Sequence, residues 1–327
     1  MMKGKIEGLS PIRILRSLQP VFWVTLFLML VFNFFSSRFL SLHNIINLFQ
    51  QGAVLLIVAA ASTLVILSEG LDLSLGSVLT LAGITSVMTV NGGAPVSVAI
   101  GVGVLTGLLC GALTGTLIAV FNMQPFIATL GIQGVYYGIS LVLTDSVAIL
   151  TKNKTFIFFG SRIGYIPMAA IIGVGVFLLI LYVFHHTPFG RYVVAIGGNE
   201  SGTRLSGVNT TFWKWFVYTF AGGITGFAGV LLAARLEAAD PIVGVGWEFD
   251  AIAATILGGT SFQKGKGGVA GTALGVLLIT VVRNGLNVIR TPSILQPALI
   301  GTILIIAIVI QVGLSMRSIE KEGKNRP

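Results

Sequence analysis

The chain has 327 residues, 54% of them hydrophobic and only 9% charged, with a mean hydropathy of +0.95 and a net charge of +9. So little polar material cannot cover a water-facing surface, because ordinary globular chains are about one quarter charged; the expected solvent is a bilayer. The basic excess carries no zinc spacing, basic helix or aromatic-basic platform, which excludes nucleic acid as a partner, and the lone Cys110 excludes an internal disulfide.

Residues 1–20 are polar and the apolar run after them has no small-residue cleavage site, so the start reads as a cytoplasmic segment and not as a cleaved leader. A helix needs about 20 apolar residues to cross a bilayer. Such runs lie near 21–36, 52–68, 74–91, 95–121, 125–144, 166–185, 213–234, 268–289 and 294–314. A shorter run, 249–259, reads either as a half-helix or as one end of a longer span. If it crosses, the chain has ten spans, and the positive-inside bias puts both termini and loop 186–212 in the cytoplasm. Thirteen of the 20 Lys and Arg then lie on that side, with Lys152, Lys154 and Arg162 of loop 145–165 as the exception outside. Nine spans would split two strongly basic termini. The expected fold is all-α and polytopic, with about ten transmembrane helices: a permease domain over 21–314 and a cytoplasmic tail over 315–327.

Small residues recur at helical spacing, at Gly103, Gly107, Gly111 and Gly115 and again at Gly267, Gly271 and Gly275, where helix backbones can approach closely. Acidic residues are scarce. Glu69 and Asp72 in SEGLDLSLGS, and Glu248 and Asp250 in GWEFDAIAATILGGTS, fall at predicted span ends. Asp72 and Ser74 stand where a helix cap is expected, although intramembrane carboxylates also mark pathways. These two acidic stretches sit at corresponding places in two blocks, 52–144 and 213–314, which suggests an inverted pseudo-repeat.

Nucleotide and enzyme signatures fail. TSFQKGKGG (260–268) lacks the first glycine and the final hydroxyl of a phosphate loop, so ATP is not expected on this chain. His185 and His186 at a span edge read as interfacial, not as metal ligands, and no HExxH or GxSxG occurs. The segment GRYVVAIGGNESGTRLSG (190–207) is more informative. Gly197 and Gly198 break the preceding segment, Asn199 is a favourable N-cap, Glu200 and Arg204 form an i,i+4 pair, and Gly207 suits a left-handed cap. A helix of two turns is marginal alone in water, so a docking partner is expected to complete it.

At these residues the sequence resembles the ribose-type permeases of bacterial ABC sugar importers. The resemblance rests on LVILSEGLDLSLGSVLTLAG (64–83), QPFIATLG (124–131), HHTPFGRYVVAIGGNESGTRLSGV (185–208), EFDAIAATILGGTSFQKGKGGVAGTALG (248–275) and NGLNVI (284–289). It implies a multi-pass subunit of the bacterial cytoplasmic membrane that pairs with a second permease copy or a paralogue. A periplasmic sugar-binding protein would deliver the sugar, and a cytoplasmic ATP-binding-cassette ATPase holding Mg-ATP would drive transport, leaving this chain no enzyme and without a cofactor. Gly190, Arg191, Gly197, Gly198, Asn199, Glu200, Arg204 and Gly207 match the coupling segment of that family. Glu69 stands where the family usually has a small residue, and Lys264 where glycine is common.

Sugars need hydroxyl-compatible partners and no counter-ion, so Asn122, Gln124, Gln133 and Asn284 are the candidates for a translocation path. Two rivals remain: a permease for another small solute such as branched-chain amino acids, and an ion-coupled secondary transporter. The second usually needs a titratable residue near the midplane, whereas the carboxylates here are predicted at span ends.

Overall fold

In hydrocarbon every backbone polar group must be satisfied within the chain, and here helices do so almost throughout. The computed structural model describes residues 11–309, apart from 262–264, 293, 297, 304, 307 and 308. Helix α1 spans Pro11–Phe35, α2 Leu42–Leu67, α3 Leu75–Asn91 and α4 Val96–Gly115, which continues through a π-turn to Val120. After it come α5 (Pro125–Thr144), a short α6 (Lys154–Phe158), α7 (Met168–His186), α8 (Pro188–Leu205), α9 (Thr210–Leu236), α10 (Trp247–Leu257) and α11 (Val269–Val288). Four two-residue strands, β1 (Ile149–Leu150), β2 (Arg162–Ile163), β3 (Ile166–Pro167) and β4 (Ala238–Ala239), close loop contacts as the antiparallel pairs β1–β4 and β2–β3.

Six helices among the described residues are long and apolar enough to cross a membrane: α2, α4 with its π-turn, α5, α7, α9 and α11. The apolar part of α1 and the whole of α3 are shorter, and the count is below the ten expected from sequence. The ambiguous run 249–259 falls in α10, which has only 11 residues. At 1.5 Å per residue that is roughly 16 Å, about half the hydrocarbon thickness. The end of the expected span 294–314 from 310 on, with 297, 304, 307 and 308 within it, residues 1–10, the tail 315–327 and Lys264 lie outside the described residues.

Loop contacts sort into two ends of the bundle. At one end Gly197 packs on the Leu67 carbonyl, Gly265 approaches the Val194 carbonyl, and Asn122 lies beside Glu200 and Arg204. At the other end Gln50 donates to the Gly160 carbonyl at 3.1 Å, Asn91 donates to the Leu150 carbonyl at 2.9 Å, and Thr151 N–H donates to the Glu237 carbonyl at 2.9 Å.

The expected glycine stripe of α4 is a helix interface. A Cβ at Gly107 would overlap the Gly222 carbonyl of α9, and a Cβ at Gly222 would overlap the Gly107 carbonyl. Gly111 meets the Tyr218 carbonyl in the same way, and Gly115 meets that of Trp215. On α11 the stripe is shorter than expected. Gly271 and Gly275 pack on α10, but Gly267 precedes the helix with φ +128° and packs on Thr260 in the turn.

The two blocks correspond in detail, in a register different from the one expected. Glu69 and Glu237 both leave a helix in the left-handed region, with φ of 59° and 56°. Three residues on, Asp72 accepts from Ser74 N–H at 2.8 Å and Asp240 accepts from Ile242 N–H at 3.0 Å, closing the same two-residue turn. Four residues further, Gly76 and Gly244 meet each other so closely that a Cβ on either would strike the other's carbonyl. Each pair is separated by 168 residues (69 to 237, 72 to 240, 76 to 244). The counterpart of the first acidic stretch is therefore 237–244, not 246–261. Helix neighbours follow suit: α3 packs on α9 as α10 packs on α2, α3 on α4 as α10 on α11, and α4 on α9 as α11 on α2.

The α4–α9 contact leaves no room for a methyl group. Gly107→Ala or Gly222→Ala is expected to destabilise the purified protein by about 1–3 kcal/mol, the usual cost of overpacking. Gly101→Ala on the open side of α4 should cost nothing, since a Cβ there meets no atom within 4 Å. Thermal unfolding in detergent compares the three, and equal midpoints would contradict the interface.

Candidate functional site

Helix α8 bends where its sequence changes character. Residues from Pro188 run as a regular helix in which Phe189, Gly190, Val193, Ile196 and Gly197 are buried. Gly190 and Gly197 permit backbone contact with the carbonyls of Phe184 and Leu67, while Arg191 and Gly198 face outward. The sequence expectation that Gly197 and Gly198 break the segment is corrected: Gly197 stays helical because it must fit beneath α2. The break falls at Asn199, whose backbone is extended (φ −165°, ψ 94°). Its Oδ1 accepts from Gly202 N–H at 2.8 Å, the expected N-cap of a second short turn.

That turn is held from both sides. Arg204 donates to Glu200 at 3.0 Å and to Thr210 Oγ1 at 3.1 Å, and Lys214 at the start of α9 grips the other carboxylate oxygen. Partial burial pushes the Glu200 carboxyl up, but hydrogen bonding and charge from Lys214, with help from Thr210 and Arg204, outweigh it and leave the group below the ordinary carboxylate range. Gly207 takes φ +85° and ends the turn. Leu205 beside it is 89% exposed, an apolar side chain offered outward from a charged turn. A cavity of about 440 Å³ lies behind, lined by Asn122, Glu200, Ser201, Arg204, Thr211 and Lys214 among others.

The remaining sequence candidates separate. Asn122, at φ +53°, joins the α8 turn, and Gln124 is exposed at the same end as the N-cap position of α5, with no side-chain cap bond. Neither stands deep in the bundle. Asn284 is buried on α11 and exchanges hydrogen bonds of 2.7 and 3.1 Å with Asn44 of α2, so its amide is spent holding two helices together. Gln133, midway along α5, donates to Glu248 Oε1 at 3.1 Å.

Of the carboxylates expected at span ends, Asp72, Glu248 and Asp250 are buried, because those helix ends lie inside the bundle, while Glu69 is exposed. Asp72 accepts from both N–H and Oγ of Ser74 just before α3 begins; the Ser74 side chain itself caps nothing. Glu248 is 1% exposed in the first turn of α10; its Oε1 also accepts from Gly246 N–H at 3.3 Å, and its Oε2 lies over Gly76 without a hydrogen-bond partner among the described residues. Asp250 pairs with Arg283 of α11 at 2.5 Å. Two half-helices thus start side by side in the interior, their N-terminal N–H groups converging around Gly76 and Gly244. Such discontinuous helices are where membrane transporters place ligand sites. Among the described residues no three His, Cys, Asp or Glu side chains gather to hold a metal.

Sequence reading missed Lys214, Leu205 and Arg283. Only the last left a signal: a basic residue inside an apolar run, in a chain with a carboxylate in another, needs a partner.

The chain matches, over residues 44–308, the family described as "Branched-chain amino acid transport system / permease component". It is 38% identical over 281 residues to the ribose import permease protein RbsC of Escherichia coli K12, covering 84% of this chain and 87% of that one. It is 40% identical over 289 residues to RbsC of Bacillus subtilis strain 168, covering 86% and 89%. With the D-allose transport system permease protein AlsC of Escherichia coli K12 it shares 34% over 272 residues, 83% of each chain. No solved structure matches.

The Glu200 clamp has a pH signature. Because the folded carboxyl is held below its ordinary range, the stability it lends is complete above that range and is lost as pH falls through the lowered value. The protection of amides 200–207 against hydrogen exchange, measured relative to the intrinsic rate at each pH, should therefore fall on acidification. In Glu200→Gln that protection should be low throughout and independent of acid pH.

Proposed function

The chain belongs to this permease family, and we propose that it is the membrane subunit of an ATP-binding-cassette importer carrying a monosaccharide. The observation that carries the reading is the match, across more than four fifths of both chains, to permeases named for ribose and for D-allose. The family description names branched-chain amino acids, but all three of these relatives are named for sugars, and each aligns with this chain over most of its length. An ion-coupled mechanism is not favoured by either.

Several finer features belong to the same proposal. The protein sits in the bacterial cytoplasmic membrane with both termini inside, about ten spans within 21–314, and short cytoplasmic segments at 1–20 and 315–327. Support for this orientation comes from the positive-inside count, in which thirteen of the 20 Lys and Arg fall on the α8 side when both termini are placed there. The offset of 168 residues, with helix neighbours exchanged between blocks, is what an inverted repeat produces.

ATP with magnesium belongs to a cytoplasmic ATPase, and this chain supplies its docking element: Gly190, Arg191, Gly197, Gly198, Asn199, Glu200, Arg204 and Gly207. The buried half of α8 anchors this element to α2, while the Asn199 bend turns Leu205 outward. A push on the turn is transmitted through Lys214 into α9, and from α9 across the glycine contact into α4. A periplasmic sugar-binding protein delivers substrate at the opposite end, and a second permease copy or paralogue completes the path; lipid covers the rest. Of the polar path candidates, Gln133 beside Glu248 is the one that stands in the interior next to both half-helices.

Reconstituted with its ATPase and binding protein, the chain should import D-ribose or D-allose only with ATP. Leu205→Asp and Arg204→Glu should each reduce ATP-driven uptake and ATPase co-purification at least about tenfold, as loss of an interface anchor does. The unfolding midpoint of Leu205→Asp should hold. Undiminished uptake in both variants would remove the docking role.

A further inference from the structure

At the end of the bundle opposite the α8 bend, a cavity of about 290 Å³ opens between α2, the end of α9, α10 and α11. Its size is at the lower end of small-ligand sites. Gln51, Arg235, Trp247, Asp250, Thr280 and Arg283 are the residues in its wall that matter. Asp250 and Arg283 form their ion pair there. Thr280 is 4% exposed, yet its Oγ1 has no hydrogen-bond partner among the described residues, and neither does the buried Nε of Arg283. Among the described residues Arg235 donates only to the Gln50 carbonyl, at 3.4 Å. Unmet donors beside a carboxylate and an amide are costly unless something with both acceptor and donor oxygens arrives to meet them.

The repeat sharpens this. Shifting back by 168 residues takes Trp247 to Leu79, Asp250 to Ala82, Thr280 to Ala112 and Arg283 to Gly115. The other block builds the same helices with small or apolar side chains, so the polar set is not demanded by the fold. It is an addition to one half only.

We propose that this cavity is a binding site for a monosaccharide within a single permease subunit, with Thr280 Oγ1 and Arg283 Nε meeting sugar hydroxyls and the Trp247 ring covering the sugar's apolar face. Asp250 and Arg283 neutralise each other in the wall and leave donors and acceptors side by side, an arrangement that suits a polyol; the acetate titration separates this from attraction of a simple anion to Arg235. The choice of sugar as ligand rests on the import reading; the existence of the site does not.

The test uses the full chain alone in lipid nanodiscs, titrated with D-ribose, D-allose and, separately, sodium acetate, with tryptophan fluorescence as the readout. A saturable change with either sugar is expected. It should persist in Trp23→Phe, disappear in Trp247→Phe and weaken about three- to tenfold in Thr280→Val, which loses one net hydrogen bond at unchanged volume. No saturable response to either sugar overturns the site, as does a response unaltered in Thr280→Val or one given by acetate alone. If the uptake assay fails instead, the import reading falls, and this titration, which needs neither ATPase nor binding protein, still decides the cavity.

Discussion

Everything in this molecule hangs on backbones that touch. Lipid tails are as apolar as leucine, so burying leucine against leucine gives helices in a bilayer little reason to associate; close packing must supply it. The chain meets that requirement by placing glycine on glycine at several crossings, two of which set the frame. Gly107 on Gly222 locks α4 to α9, and Gly76 on Gly244 sets the starts of the two half-helices against each other. The first crossing sits between two full-length helices and gives rigidity. The second sits where α3 and the loop before α10 enter the interior, and it fixes where both helices begin. Side chains at either place would force the helices apart and expose N–H groups that nothing in hydrocarbon can satisfy.

What was legible in the sequence follows the range of each interaction. The Asn199 cap and the Glu200–Arg204 pair span three and four residues, so local chemistry predicts them. Lys214 completes the same clamp from the far side of a turn, and no spacing rule reaches it. The stripe on α4 could be read as a helix face because its period is helical, yet the receiving face at Gly222 and Gly226 shows only once α9 is laid against it. Gly197 was misread for the reverse reason. Two adjacent glycines look like a break, but the contact that needs one of them comes from Leu67, 130 residues away.

The pseudo-repeat was half legible. Two blocks of similar hydropathy are visible, but matching acidic clusters by eye pairs 68–77 with 246–261. The true correspondence depends on backbone state: a glutamate in the left-handed region after a helix, an aspartate closing a turn three residues later, then a glycine at the crossing. Glu69, Asp72 and Gly76 share those roles with Glu237, Asp240 and Gly244. Neighbouring side chains are free to diverge because they face different surroundings in the two halves. Glu69 is thereby explained as one of a matched pair of helix terminators.

Against that shared frame the two halves divide the work of polar groups unequally. The first block keeps its interior acid, Asp72, turned onto its own Ser74, a closed local arrangement. The second adds Glu248 and Asp250 in the first turn of α10, where converging N–H groups favour negative charge, and balances Asp250 with an arginine from α11. Buried charge that merely held helices together could be replaced by apolar packing without loss, as the first block demonstrates with Ala82 and Gly115 at the matching positions. Retaining an ion pair, a hydroxyl with no partner among the described residues and a tryptophan around one cavity makes sense when an external ligand completes the set. The α8 turn at the other end stands at the opposite pole of the same scaffold: α9 begins at the Lys214 clamp and ends at Arg235 in the cavity wall. One helix, pinned to α4 by glycine, therefore joins the turn proposed for docking to the cavity proposed for a sugar.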